Sequence, residues 1–584
     1  MIPAPHVNAS PITIDQLTSR TFTFRAEPRG EEISDRFIFQ KNGFIAGYSH
    51  PNESFWRLNG EAVEIVDKLG KATCVMLSVA DGTGRLAFSG NFLNPNGDYA
   101  KTEILHTLEE NASDLHAHIQ SFDLFDTLVA RRCNDPLQVF RAVEAKCGIA
   151  GFATRRHAVE MAMFGRRTYG LDDIYSALIA EATLTEAQAE STRLLELEEE
   201  WDMLFPIQEV VARVDAHDII ISDMYLPYAF VSRILKEKCG LDNKLYLSNY
   251  GKHHRVIWPS ILAEHTIRTH FGDNIHADIV GAAAAGINPT LVSISKWDRT
   301  EEILHSAGLA PYAHALRETR LKTFHRDPAI HNVLKAQAAV NIPLMVVGAF
   351  WALHCAERFG ADKILAASRD CNLWHQMLAS THFARAGMPP VSYFQVSRTL
   401  CYDKSTEYEA YLRGRLGART LLIDVVGTGN SLTHLIDRLE LQDRLRPSIL
   451  VTDPTVSPDE TKYDTLVRRD FFQYRVFLEG LNASLDGSAV AAHAENGSVT
   501  ITAQPNEFDV DMHQAIIASR AVFEQFLVSL ERFTPPREKP APGMLQAAAE
   551  ALIELLPAHA PKLQTIHREQ LSNLARGSLR NVAS

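Results

Sequence analysis

The sequence is short of cysteine, of basic excess and of uninterrupted apolar runs, and each shortage excludes something. Seven cysteines in 584 residues (Cys74, Cys133, Cys147, Cys239, Cys355, Cys371 and Cys401) lie scattered, with no CxxC pair and no metal-ligand spacing. That excludes a disulfide framework and fits reduced thiols in a cytosolic protein. Lys+Arg 58 against Asp+Glu 71 leaves a net charge of −13. Bulk electrostatic capture of nucleic acid or of an anionic membrane is therefore not expected, local basic patches aside. The most apolar stretch, Ile342 to Cys355, is interrupted by Pro343 and Gly348 and is shorter than the ~20 residues that span a bilayer. The amino-terminal MIPAPHVNASPITIDQLTSR has no basic start followed by an apolar run, so a secretory signal is not expected. A cytoplasmic enzyme or enzyme-like protein without a membrane span is the expectation.

What is present is ordinary globular usage, 46% hydrophobic and 22% charged. At roughly 150 residues per domain the length gives three or four domains. Residues 1–115 read as a small β-rich module, a sandwich or barrel. Asn42-Gly43, Asn59-Gly60, Asp81-Gly82 and Asn96-Gly97 punctuate short apolar runs such as AVEIV and ATCVML. Trp56 is expected in its core. Residues 116–300 turn to an α/β pattern, with apolar strand candidates ending in small or acidic residues. The interval 134–215 is strongly helical and reads as an insertion after the first of these strands. Its acidic run Glu196, Glu198, Glu199 and Glu200 is expected on a solvated helix face. Residues 301–480 form a second α/β pattern. Residues 481–584 read as helices, split by the proline-rich linker FTPPREKPAPG at 533–543.

The sharpest motif is SFDLFDTLV, 121–129, in which an apolar strand delivers Asp123 at its carboxyl end. Open α/β sheets place ligands at such strand ends. Three later elements follow in order. IIISD leaves Ser222 at a strand end, where a hydroxyl can bond a phosphoryl oxygen. SNYGKHHR offers a cation from Lys252 or Arg255. HFGDNIHADIVGAAAAGI clusters Asp273, Asn274 and Asp278 at a further strand end. Carboxylates from two strand ends make a hard oxygen site suited to Mg²⁺. His253 and His254 are expected as solvent-exposed loop residues, and His276 lies within reach of the site.

These four elements, over 119–292, resemble the motifs of the haloacid dehalogenase superfamily. The resemblance implies a Rossmann-like domain with a helical cap at 134–215 that closes over substrate. It implies Asp123 as nucleophile and Mg²⁺ ligand, the Phe125 carbonyl as second ligand, Ser222 as phosphoryl holder and Lys252 as charge neutraliser. Asp273, with Asn274 or Asp278, would complete the metal site. One departure matters. Phosphatases of the superfamily carry an aspartate two residues after the nucleophile as general acid/base, and here that residue is Phe125. An aromatic there also resembles the true dehalogenases, whereas the acidic fourth motif suits a Mg²⁺-dependent phosphoryl site.

More narrowly, FDLFDTLV, ISDMYLP and HFGDNIHADIVGA resemble a bacterial subgroup often linked to surface-polysaccharide genes. In that subgroup the hydrolase-like domain is followed by one with the strand ends seen here as Ser368-Arg369-Asp370, Val396-Ser397-Arg398 and Asp424 to Ser431. TLLIDVVGTGNSL delivers Asp424 on an apolar strand, then a loop of small residues before a helix, an arrangement that binds phosphate. It resembles the pyrophosphate-ribose loop of type I phosphoribosyltransferases, with Val425 in place of a second acid and one residue fewer. Asp424, Thr428, Gly429 and Ser431 would be its binding residues. Arg369, Asp370 and Arg398 could bind an anion or form buried ion pairs. The expected function is a Mg²⁺-dependent phosphohydrolase or phosphotransferase working through an aspartyl-phosphate on a small phosphorylated metabolite, such as a sugar phosphate or nucleotide. The alternatives are a phospho-ligand scaffold of polysaccharide biosynthesis and a phosphoribosyltransferase-type enzyme.

Overall fold

The computed structural model describes residues 12–563, apart from 19, 28–29, 41–42, 47, 49, 51–52, 54, 68–69, 81–84, 94–103, 112–118, 134, 453–460, 470–471, 496, 506–507 and 509. It is a mixed α/β chain with an amino-terminal β-rich sheet, two parallel sheets and many helices. The chain divides into two compact units, Met1–Lys296 and Trp297–Ser584.

The first unit begins with eight strands: β1 (Thr21–Glu27), β2 (Glu31–Phe39), β3 (Ile45–Ala46), β4 (Phe55–Asn59), β5 (Ala62–Val66), β6 (Ala72–Ala80), β7 (Leu86–Asn91) and β8 (Leu105–Glu110). They follow the order β3-β2-β1-β8-β7-β6-β5-β4, with antiparallel neighbours. A bridge between Phe44 and Phe55 brings the start of β3 to β4, giving a closed up-and-down order. Closure removes the edges a short β module would otherwise expose. Phe22, Phe24, Phe37, Phe39, Trp56 and Phe88 fill the interior, and Trp56 satisfies its indole N–H on the Gln40 carbonyl at 2.8 Å.

The first parallel sheet follows: β9 (Ile119–Phe122), β12 (Ile219–Asp223), β13 (Lys244–Ser248), β14 (Ile267–Gly272) and β15 (Asn288–Leu291), in the order β13-β12-β9-β14-β15. From central β9 the chain moves to β12 and β13 on one side, then to β14 and β15 on the other. The carboxyl ends of β9 and β14 thus flank a topological switch point. Between β9 and β12, strand β10 (Val129–Arg131) pairs antiparallel with β11 (Leu204–Pro206). This pair frames a four-helix insertion: Leu137–Cys147, Phe152–Met163, Leu171–Ala180 and Glu186–Met203. Its last helix gives way to β11 at Leu204, and a short helix, Gln208–Val211, precedes β12.

The expected solvated acidic face is overturned. Glu196, Glu199 and Glu200 are buried, each against a base. Both Glu196 oxygens accept from Arg156, at 2.7 and 2.9 Å, and Tyr175 donates to the same carboxylate. Lys146 meets Glu199, and Arg131 meets Glu200 at 2.6 Å. Arg156 is wholly buried and also lies over the rings of Phe140 and Tyr225. Acidic residues appear on the inner face of the last helix because β10 and the other helices supply matching cations.

In the second unit β16 (Lys363–Ala367), β17 (Val391–Phe394), β18 (Thr420–Gly427), β19 (Leu445–Thr452) and β20 (Asp464–Arg468) form a parallel sheet in the order β17-β16-β18-β19-β20. Among the described residues one helical stretch, Pro328–Phe359, is long and apolar enough to cross a membrane, and it is mostly buried. Pro343 does not interrupt it, since it falls in the first turn after a wide π turn over Gln337–Asn341. The region after 481 is not wholly helical: β21 (Ala489–Glu495) and β22 (Ser498–Ala503) form an antiparallel hairpin ahead of helices Val510–Leu530, Pro542–Ile553 and Leu556–Leu563.

Two stability predictions follow from these buried charges. Glu196→Ala leaves the buried Arg156 with Glu160 as its one remaining carboxylate partner and should cost about 3 kcal/mol in denaturant unfolding, whereas exposed Glu198→Ala should change it by about 0.5 kcal/mol or less. His382 is buried and shares a 2.9 Å hydrogen bond with Tyr312. Burial, reinforced by Arg385, pushes its pKa down to about 4. The unfolded imidazole titrates near pH 6.5, so this contribution is intact above about pH 6.5 and is lost as pH falls toward the folded value. Thermal melts across that window should flatten in His382→Gln.

Candidate functional site

Parallel register sets the site. Ser121 and Phe122 of β9 stand beside Ile219 and Ile220 of β12, and beside His270 and Phe271 of β14. Asp123 therefore leaves β9 level with Ile221 and Gly272. Its N–H bonds the Phe271 carbonyl at 2.8 Å, which fixes the turn at the sheet edge. Asp123 is 6% exposed, Asp278 1% and Lys252 2%.

The Lys252 ammonium lies 2.5 Å from Asp123 Oδ1 and 2.5 Å from Asp278 Oδ1, and donates to the Ile221 carbonyl at 3.0 Å. Lys252 is thus the basic residue of the site. Arg255 is exposed in a left-handed turn. Asp223, at the end of β12, holds the Lys252 loop by accepting the N–H groups of Lys252 (3.0 Å) and His253 (2.9 Å). Asp278 is held from three sides: Lys252, the Asn274 N–H at 2.9 Å and His270 Nε2 at 3.2 Å. His270 is itself fixed through Nδ1 by the Ser121 hydroxyl at 2.8 Å. Gly272 makes room for this: a Cβ there would meet the Asp278 carboxylate carbon at 2.3 Å.

Burial raises the Asp123 carboxyl to about 8 against the pull of Lys252, with Asp278 and Asp273 adding to the rise. Burial also opposes ionisation of Asp278, but Lys252 and His270 override it and hold that carboxyl well below the usual range. Burial would neutralise Lys252, yet Asp123 and Asp278 keep it a cation. Asp273 is raised to about 6 by burial, then by Asp126 and Asp278.

Asp123, Asp273 and Asp278 can each present one oxygen with all three within 4.8 Å of one another. Oxygens on opposite sides of a Mg²⁺ or Ca²⁺ ion lie about 4–5 Å apart, so the trio has the dimensions of a hard-cation site. One ammonium cannot balance three clustered carboxylates, and the residues present fit a divalent cation. Asn274 Oδ1 accepts the N–H groups of His276 (2.9 Å) and Ala277 (3.0 Å), capping the helical turn that carries Asp278. Ser222, in β12, is 1% exposed. Phe125 packs its ring under the Arg131 guanidinium, 4.9 Å away, and Arg131 is tied to Glu200 of the helical insertion. His253 and His254 are half-buried, not exposed as expected: His254 stacks on Tyr250 at 3.8 Å and His253 touches His276 and Phe164. His276 is exposed.

Of the residues expected in the second unit, Asp424 lies in β18 and accepts the Val425 N–H at 2.8 Å. Thr428 and Ser431 flank the turn into helix Asn430–Arg438. Gly429 has φ 76°, and a Cβ on it would meet Ile449 at 3.0 Å and Tyr463 at 3.2 Å, so close packing already requires glycine there. His270, Ser121, Asp223 and Arg131 went unrecognised in the sequence. The available signal was weak: His270 stands in a strand that already carries Arg268 and Thr269.

No family model matches the chain, and no curated protein matches it.

Gly272→Ala should displace the Asp278 carboxylate while leaving the sheet intact. The expected result is at least about tenfold weaker Mn²⁺ binding by electron paramagnetic resonance, the loss of one charged ligand contact, with an unchanged circular dichroism spectrum.

Proposed function

We propose that the first unit is a Mg²⁺-dependent phosphohydrolase or phosphotransferase of the haloacid dehalogenase type, acting on a small phosphorylated metabolite. The observation that carries this reading is the convergence of Asp123, Asp273, Asp278 and Lys252 at the carboxyl edge of β9 and β14. A bound divalent cation, held by Asp123 and Asp273 with Asp278 and the Phe125 carbonyl nearby, would offset the charge of phosphoryl oxygens beside a carboxylate nucleophile.

The chain's own residues account for the rest. Asp123 attacks phosphorus, an Asp123–phosphorus bond forms, and the bond to the leaving oxygen breaks. Lys252 pulls the buried Asp123 carboxyl back toward its ionised form, against the effect of burial, and offsets charge that gathers on the phosphoryl group. The Ser222 hydroxyl donates to a phosphoryl oxygen. Water, or an acceptor hydroxyl, then takes the phosphoryl group from Asp123. The helical insertion, joined through β10 and β11, is placed in the chain where a cap would exclude water from the first step.

Phe125 supplies no proton to the leaving oxygen. Absence of a general acid costs about 10²–10⁴-fold, which favours substrates whose leaving group departs as a stable anion. It also supports a second reading, in which the site holds a phosphorylated ligand with little turnover. A haloacid substrate would use the same nucleophile, but three clustered carboxylates favour phosphoryl chemistry.

Asp123→Asn should abolish Mg²⁺-dependent hydrolysis of an aryl phosphate, read by phosphate release, while the fold is retained. Phe125→Asp should raise hydrolysis of alkyl phosphates by about 10²-fold and aryl phosphates much less. If wild-type protein releases no phosphate from either class with Mg²⁺ present, yet still binds phosphate, the second reading replaces the first.

A further inference from the structure

Two ion pairs of the helical insertion each reach an aromatic ring in a loop of the proposed site. Glu196 and Glu200 stand one turn apart on helix Glu186–Met203, and both are buried. Glu200 holds Arg131 through Nε at 2.8 Å and a terminal nitrogen at 2.6 Å. The Arg131 guanidinium lies over the Phe125 ring, 4.9 Å from its centre. Glu196 holds Arg156 at 2.7 and 2.9 Å, and that guanidinium lies over the Tyr225 ring, also at 4.9 Å. Phe125 is two residues after Asp123, and Tyr225 three after Ser222.

The backbone ties each ring to its loop. The Leu128 and Val129 N–H groups both bond the Leu124 carbonyl, at 2.8 and 2.9 Å, and the Asp126 N–H bonds the Val129 carbonyl at 2.7 Å. Asp126 turns there with φ 57°. Phe125 thus sits in a closed turn that runs directly into β10 and Arg131. On the other loop the Tyr225 carbonyl accepts the Leu171 N–H of the insertion at 2.9 Å, and the Tyr169 ring stacks on Tyr225. The last insertion helix is itself fastened to β10, since the Arg132 N–H bonds the Met203 carbonyl at 3.0 Å. A buried guanidinium keeps its place only between partners that balance its charge, and an aromatic face is one it favours. Each arginine is therefore fixed between a glutamate of the insertion and a ring of the site. Glu199, a third buried glutamate of the same helix, differs. It meets Lys146, whose side chain is more than half exposed, and among the described residues Lys146 lies over no ring.

We propose that Arg131 and Arg156 are positioning residues for the reaction. Arg131 fixes the loop that supplies Asp123 and the Phe125 carbonyl to a divalent cation, and Arg156 fixes the loop that supplies Ser222 to the phosphoryl group. Glu200 and Glu196 set the two arginines separately, so one helix of the insertion governs metal and phosphate through different side chains. This inference rests on the function proposed for Asp123.

Mn²⁺ affinity by electron paramagnetic resonance, and inorganic phosphate affinity by calorimetry with Mg²⁺ in excess, separate the two arms. Glu200→Gln should weaken Mn²⁺ by about tenfold, as when a group supporting a metal ligand is removed. Arg131→Gln should do the same, and Arg131→Lys, which keeps the charge, should lose less. Glu196→Gln should leave Mn²⁺ unchanged and weaken phosphate by about tenfold. Glu199→Gln should alter neither, whereas a merely structural role would make the three buried glutamates alike. Should Glu200→Gln fail to fold by circular dichroism, Phe125→Leu removes the ring, keeps the ion pair and should weaken Mn²⁺ comparably. The proposal is overturned if folded Glu200→Gln or Phe125→Leu binds Mn²⁺ like wild type, if Glu199→Gln weakens Mn²⁺ as much as Glu200→Gln does, or if Glu196→Gln leaves phosphate binding unchanged. Wild-type protein that binds no Mn²⁺, or Asp123→Asn that binds it as wild type does, overturns the function proposed for Asp123 and this inference with it.

Discussion

One ammonium shared by two buried carboxylates organises the first unit's site. Charges so far from water are costly unless each is paired and hydrogen-bonded. The surrounding structure meets that condition group by group. Asp223 anchors the loop that delivers Lys252, the Ile221 carbonyl takes another of its protons, and His270 and the Asn274 N–H complete Asp278. Gly272 is needed because Asp278 must come against the end of β14. What stays unbalanced is the third carboxylate, Asp273, and the partly neutralised Asp123. That residual negative charge, within one coordination sphere, gives the arrangement its capacity for a divalent cation.

The two parallel sheets apply the same rule to different side chains. In each, strands leave the first one on both sides, and the loops that part there hold the polar groups. The first sheet gathers carboxylates around one lysine, a set suited to a metal and a phosphoryl group. The second brings Arg369, Asp370 and Asp424 to its strand ends. Fold alone does not assign either chemistry. The residues at the strand ends do.

Strand ends are what the sequence displays best. Asp123 and Ser222 each follow a short apolar run and the GDN of 272–274 closes a further short strand, so their placement on one sheet edge follows from chain order and parallel pairing. Lys252 is harder, because a loop residue's reach depends on how the loop is tied, here by Asp223, and Arg255 three residues on is the alternative. Pairings across long separations are not legible at all. The glutamates of the last insertion helix look like a solvated face until Arg131, Lys146 and Arg156 arrive from other segments. His270 looks like one more polar residue of a mixed strand until Ser121 and Asp278 claim both of its nitrogens. Closure of the β module rests on Phe44 meeting Phe55, and glycine turns announce strands without saying whether the first and last will join. The hairpin after Ala489 hides in a run of alanines with no strong preference.

The central claim is that Asp123 is a nucleophile toward phosphorus, and trapping the covalent state tests it most directly. Protein incubated with an aryl phosphate and Mg²⁺, quenched in acid and mapped by peptide mass spectrometry, should carry one phosphoryl group on the peptide that contains Asp123, and none when Mg²⁺ is withheld. Steady release of phosphate with that peptide unmodified throughout, or with the phosphoryl group on another side chain, would contradict the account.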